Sequence, residues 1–181
     1  MEKHQGALTP EERERGEKYF HPGWEVEPIS ISEMKGIRGR KKPKFPVATA
    51  TEYLISDSEE KEKWPQKMLL YTPKAGPETL AHEVGHIHLQ HFEEPVRDVE
   101  TQVKHEIQAW LWARKKRGKE LQSHWLLTVI GNAVDDFPDV PAGRIVSAIV
   151  NTLEREGDPV SRQRRGAISN LVRWYKHKLE G

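Results

Sequence analysis

The segment Thr79-Leu80-Ala81-His82-Glu83-Val84-Gly85-His86 decides how this 181-residue chain is read. It contains the pattern His-Glu-x-x-His, and Gly76-Pro77 just before it opens a helix that runs to about His91. Residues four apart share one face of a helix, so the imidazoles of His82 and His86 can reach a single ion. Glu83 is turned away from that pair, as suits a carboxylate that holds a water rather than the metal. Zinc lowers the pKa of such a water towards neutrality, and Glu83 can then take its proton and pass it to a leaving amine. Leu80, Val84 and Ile87 lie on another face, so the helix is expected to dock on a core while presenting the His pair. Gly85 in mid-helix costs about 1 kcal/mol relative to Ala, a loss that close approach of another backbone would explain. The competing reading is a solvated helix with incidental histidines, and a third ligand separates the two.

A catalytic zinc site takes three protein ligands and keeps one position open. The spacing that puts a third His six residues after the second is not met, because that position is Phe92. His88 falls roughly 200° around the helix from His86 and cannot join it. His91 is also off the ligand face and reads as a surface residue or as one supporting a ligand from behind. The next helix, Val96 to Arg117, carries an apolar stripe of Val99, Val103, Trp110 and Ala113, with Glu106 inside it. Burying a lone carboxylate is costly, so Glu106 needs a compensating partner, either zinc or a Lys, Arg or His in the core. Glu100 is the next candidate ligand, on a more polar face.

Composition narrows the chemistry. The chain has no cysteine, which excludes disulfides, thiol nucleophiles and thiolate zinc sites. With 35% hydrophobic and 31% charged residues and a formal net charge of +1, no partner is favoured globally. Met1 to Phe20 lacks the apolar core of a signal peptide, and no apolar run is long enough to span a bilayer, so no membrane role and a cytoplasmic location are expected.

Along the chain, Thr9-Pro10-Glu11-Glu12 starts a short helix ending near Phe20, and Lys35 to Pro46 has the composition of a loop. Trp24 to Ile31, Val47 to Ile55 and Met68 to Tyr71 read as strands, the first at a sheet edge because of Pro28. Further helices are expected at Glu120 to Asp135, Ala142 to Glu156 and Val160 to Leu179. This outline predicts an α+β fold: a small, mostly antiparallel sheet with the His-Glu-x-x-His helix and the third-ligand helix, as in a minimal zincin core, then a helical C-terminal region. The expected domains are a metallopeptidase domain over 1–118 and a helical extension over 119–181 packed on it.

Two segments together carry a family resemblance. Thr79 to His86 resembles the metallopeptidases that cleave phage-type repressors, the ImmA/IrrE family. Glu106-Ile107-Gln108-Ala109-Trp110-Leu111-Trp112-Ala113 is similar to that family's second signature, Glu-x-x-Ala-x-x-aromatic-Ala. The resemblance covers roughly Met68 to Ala113. It implies zinc bound by His82, His86 and Glu106, with Glu83 as general base, and a gluzincin core of about three strands with the two ligand helices packed together. It also implies a protein substrate of the DNA-binding regulator class.

Other features admit a second function. Basic clusters at Arg38 to Lys44, Arg114 to Lys119, and Arg162 to Arg165 with Arg173, Lys176 and Lys178 would form a nucleic-acid footprint if they converged on one face. Their plainer readings are a loop, a helix C-terminus and a solvated helix face. Two hypotheses follow: a zinc metalloprotease, or a nucleic-acid-associated module with a structural or vestigial zinc site. Tyr71, His105 and His124 are candidate oxyanion donors. Trp110, Trp112, Trp125 and Trp174 fit helical stripes and are expected in the core.

Overall fold

The computed structural model describes residues 25–28, 48–51, 68–71 and 77–180, except 119, 122 and 123. Side chains are described from 78 to 178 with the same exceptions and Phe92. The helix expected at Thr9 to Phe20 and the loop at Lys35 to Pro46 lie outside these residues. Contacts group the chain into two compact units, Met1–His88 and Leu89–Gly181, whereas the sequence suggested a division after 118.

In the first unit, three four-residue strands pair in the order β1-β3-β2: β1 (Glu25–Pro28), β2 (Ala48–Thr51) and β3 (Met68–Tyr71). β1 runs parallel to β3 and β2 antiparallel to it, with Glu25 opposite Met68 and Ala48 opposite Tyr71. Helix α1 (Pro77–His88) follows and packs on β2 and β3. Pro77 suits a helix start, where its missing N–H is no loss, and Glu78 complements the N-terminal dipole. Leu80, Ala81, Val84 and Ile87 are all buried, as their spacing requires. The chain leaves the helix through Leu89 and Gln90, the latter in the left-handed region at φ 57°.

The second unit is a bundle of four helices after a short 3-10 turn (His91–Glu93): α2 (Val99–Arg117), α3 (Trp125–Asp136), α4 (Ala142–Arg155) and α5 (Arg162–Glu180). α2 packs on α3 and α4, and α5 packs on both of those. Asp98 caps α2, its Oδ1 accepting from the Thr101 N–H at 2.7 Å. At the other end Gly118, at φ 61°, returns its N–H to the Arg114 carbonyl at 3.0 Å. Four cations in the last turn, Arg114 to Arg117, complement the dipole there, which matches the plainer reading of that cluster. The core joins Val99, Val103, Ile107 and Trp110 to Val129, Ile130, Ile145, Ile149, Leu153, Ile168 and Val172.

The fold class must be corrected. From Pro77 onward the described chain is all helical, with five α-helices and no strand, so an α+β fold organised on a mostly antiparallel sheet is wrong. Among the described residues each strand pairs over four residues, and one of the two pairings is parallel. The large apolar cluster is instead supplied by helices, whose periodic stripes are long enough to close a core on each other.

The tryptophans divide. Trp110 and Trp125 are buried as expected, Trp112 is half-buried, and Trp174 is 52% exposed, against expectation. On α5 the inward face is taken by Ile168 and Val172, and Trp174 lies well round the helix from both.

Ile149 is fully buried at the centre of this bundle. Ile149→Ala should lower unfolding stability by roughly 2–5 kcal/mol, read by urea denaturation, whereas Ser147→Ala on the exposed side of the same helix should change it by less than about 0.5 kcal/mol.

Candidate metal centre

His82 and His86 stand one turn apart on α1, and the helix brings them together as the spacing requires. Their Nε2 atoms are 3.1 Å apart, with the rings edge-on at 88°. Two zinc–imidazole bonds of about 2.0–2.1 Å meeting at a tetrahedral angle place their nitrogens about 3.3 Å apart. The pair therefore already has close to the separation a shared ion imposes. His82 is buried and His86 half-buried. Glu83 is half-buried and lies roughly 80° round the helix from the mean direction of the pair, so it is beside the metal position and not in it.

Glu106 projects from α2, one residue before Ile107, whose side chain is fully buried in the bundle core. It is half-buried rather than core, with its Oε2 atom screened from solvent. His82, His86 and Glu106 each offer one ligand atom, all within 4.8 Å of one another, and this group could hold a metal ion. Two imidazole nitrogens and one carboxylate form a donor set suited to zinc with an open position, so these residues fit the ion that the sequence pattern implies. Glu100, the other candidate, is exposed and held by Arg144, whose Nε and Nη2 donate to its two oxygens at 2.7 and 3.0 Å. That pairing holds its carboxyl below the usual range and commits it to the surface of the bundle.

Around Glu106 the structure reveals an arrangement that sequence reasoning missed. His91, expected as a surface or supporting residue, is buried and stacks flat on His105, with ring centroids 4.2 Å apart and planes 7° from parallel. The helix ends at His88, so His91 is carried by the 3-10 turn and helical spacing does not apply to it. His91 also meets the Gln108 Oε1 atom at 3.3 Å, and the amide of Gln108 donates to Glu156 at 2.6 Å. Glu94 accepts from Lys104 at 2.6 Å and from His105 Nε2 at 2.9 Å. Hydrogen bonds from Lys104 and His105 pull the Glu94 carboxyl down to about 2. Burial, then the neighbouring His105, pushes His91 down from 6.5 to about 4. Glu94 left no sequence signal, since an acid eleven residues from a histidine has no periodic relation to it.

Of the candidate oxyanion donors, His105 is engaged by Glu94, and His124 is exposed at the start of α3. Tyr71 lies in β3, and its side chain is outside those described.

Comparisons of the chain with protein-family models, with curated proteins and with solved structures each found no significant match. Among the described residues, no helix is long and apolar enough to cross a membrane.

Unfolded His91 takes up a proton near 6.5, and the folded residue does so only near 4. Between these values the unfolded chain binds more protons, so acidification through that window destabilises the fold and the loss is complete below about pH 4. His91→Phe should flatten this slope, read from urea midpoints across pH in a chelating buffer. An unchanged slope would refute the assignment.

Proposed function

We propose that this chain is a zinc-dependent metalloprotease that hydrolyses a peptide bond in a protein substrate. The observation that carries the reading is the grouping of His82, His86 and Glu106, whose ligand atoms lie within 4.8 Å of one another, beside a glutamate one residue along from the first histidine. A structural zinc site fills all four positions with protein ligands, whereas three ligands leave one open for chemistry.

A zinc ion held there supplies Lewis acidity towards a carbonyl oxygen and towards water. The remaining work falls to the chain. His82 and His86 each present an imidazole nitrogen, and the two are fixed by one helical turn between them. Glu106 adds one negative charge, which offsets part of the ion's charge in a site screened from solvent. Glu83, next to the ligand face but not on it, accepts a proton from the attacking water and delivers it to the leaving amine. Its carboxylate is carried on the same helix as the two histidines, so donor and acceptor are held by one rigid element rather than by a loop. The family resemblance supplies the substrate class, a DNA-binding transcriptional regulator.

Purified protein should hold about one zinc per chain by elemental analysis. His82→Ala should lose the metal. Glu83→Gln should keep it yet lower peptide hydrolysis by at least about 10²-fold, within the usual range for a general base. Glu106→Ala should weaken zinc binding with the fold intact by circular dichroism. Absence of zinc from protein prepared in zinc-replete medium would end the metalloprotease reading, and unchanged affinity in Glu106→Ala would remove only that ligand.

A further inference from the structure

The basic residues of α5 do not act as one cluster. Arg164 is turned back on Asp158, its two terminal nitrogens donating to the carboxylate oxygens at 3.0 Å each. Arg165 faces Glu154 at 3.9 Å. Lys176 donates to the carbonyls of Pro138 and Val140. Three cations remain for which no ion pair is recorded among the described residues: Arg162, Arg173 and Lys178.

Helical geometry puts those three on one face. Taking 100° per residue, Arg162, Arg173, Trp174 and Lys178 fall within roughly 160° of one another, opposite the arc through Ile168 and Val172 that meets the bundle core. The other members of that outer arc are Gln163, Gly166, Ala167, Asn170 and His177, and all nine are exposed. None is acidic. From Arg162 to Lys178 the face runs about 24 Å at 1.5 Å per residue.

Its single large aromatic is Trp174, the one aromatic among the exposed large hydrophobics described. The Lys178 ammonium lies 4.5 Å from the Trp174 ring centroid, and Tyr175 meets the ring edge-on at 5.0 Å. The indole is thus held at the surface with a cation against it. An exposed tryptophan costs the fold apolar burial, and half of this one is left in water.

We propose that the outer face of α5 binds single-stranded nucleic acid, with Trp174 stacking on an unpaired base and Arg162, Arg173 and Lys178 engaging phosphates. A polyanion matches the spaced cations of this face. An aromatic ring discriminates further, because a base in a duplex has its faces covered by its neighbours, whereas an unpaired base offers one. This surface does not depend on the metal site.

Fluorescence anisotropy of the full-length protein with a labelled oligothymidylate tests it. Binding that weakens as salt rises is expected, reduced about tenfold by Trp174→Ala and largely retained by Trp174→Phe. Arg173→Glu combined with Lys178→Glu should reduce binding further and flatten its salt dependence. Circular dichroism should show all three variants folded, since each changed side chain is on the exposed face. No binding, binding indifferent to these changes, or tighter binding to duplex DNA or to anionic phospholipid vesicles would overturn the proposal.

Discussion

The rotation of α2 about its own axis is the constraint on which the candidate site depends. Val99, Val103, Ile107 and Trp110 recur at helical spacing and are essentially inaccessible to water, so the helix is locked by the bundle core along about three of its turns. Rolling it by even one residue's worth of angle, 100°, would expose these side chains, and each buried aliphatic is worth roughly 1.5–3 kcal/mol. Glu106 is the neighbour of Ile107 in sequence. Its direction follows from the anchoring of that residue, and half-burial at the rim of the core is the outcome. Ion pairs along the flank, such as Glu100 with Arg144, contribute little by comparison because both partners are largely in water.

His91, His105, Glu94 and Lys104 add a polar layer on the other side of the same helix. Two imidazoles stacked face to face disfavour a second positive charge, and Glu94 meets His105. Gln108 relays the contact from His91 to Glu156 near the end of α4. The layer ties the 3-10 turn, α2 and α4 together with directional bonds, where apolar packing alone would allow small slips.

Periodicity made the helices legible. The helices after Pro77 were legible because Gly118, Pro141 and Gly157 act locally on backbone conformation, and local effects can be read locally. The His82–Glu83–His86 arrangement and Glu106 were visible for the same reason, since a helix converts spacing into direction. The prominence of the strands was overestimated, as β-prone composition does not say how many residues will find a partner. His91 was misplaced because the helix stops at His88 with a residue that gives no stop signal, Gln90 in a left-handed conformation. Trp174 was assigned inward because it fits a helical stripe. Its angular position relative to Ile168 and Val172 was the better guide.

Lys176 reaches from α5 to the turn between α3 and α4, where its ammonium donates to two backbone carbonyls, those of Pro138 and Val140. Both acceptors belong to the main chain, so the clasp senses the path of the turn and is blind to the side chains on it. Substitutions at Asp139, an exposed residue between the two carbonyls, can therefore accumulate in descendants of this sequence without loosening the clasp, while a one-residue insertion there would displace both acceptors together. Drift in composition and intolerance of length change are the evolutionary signature to expect of this turn.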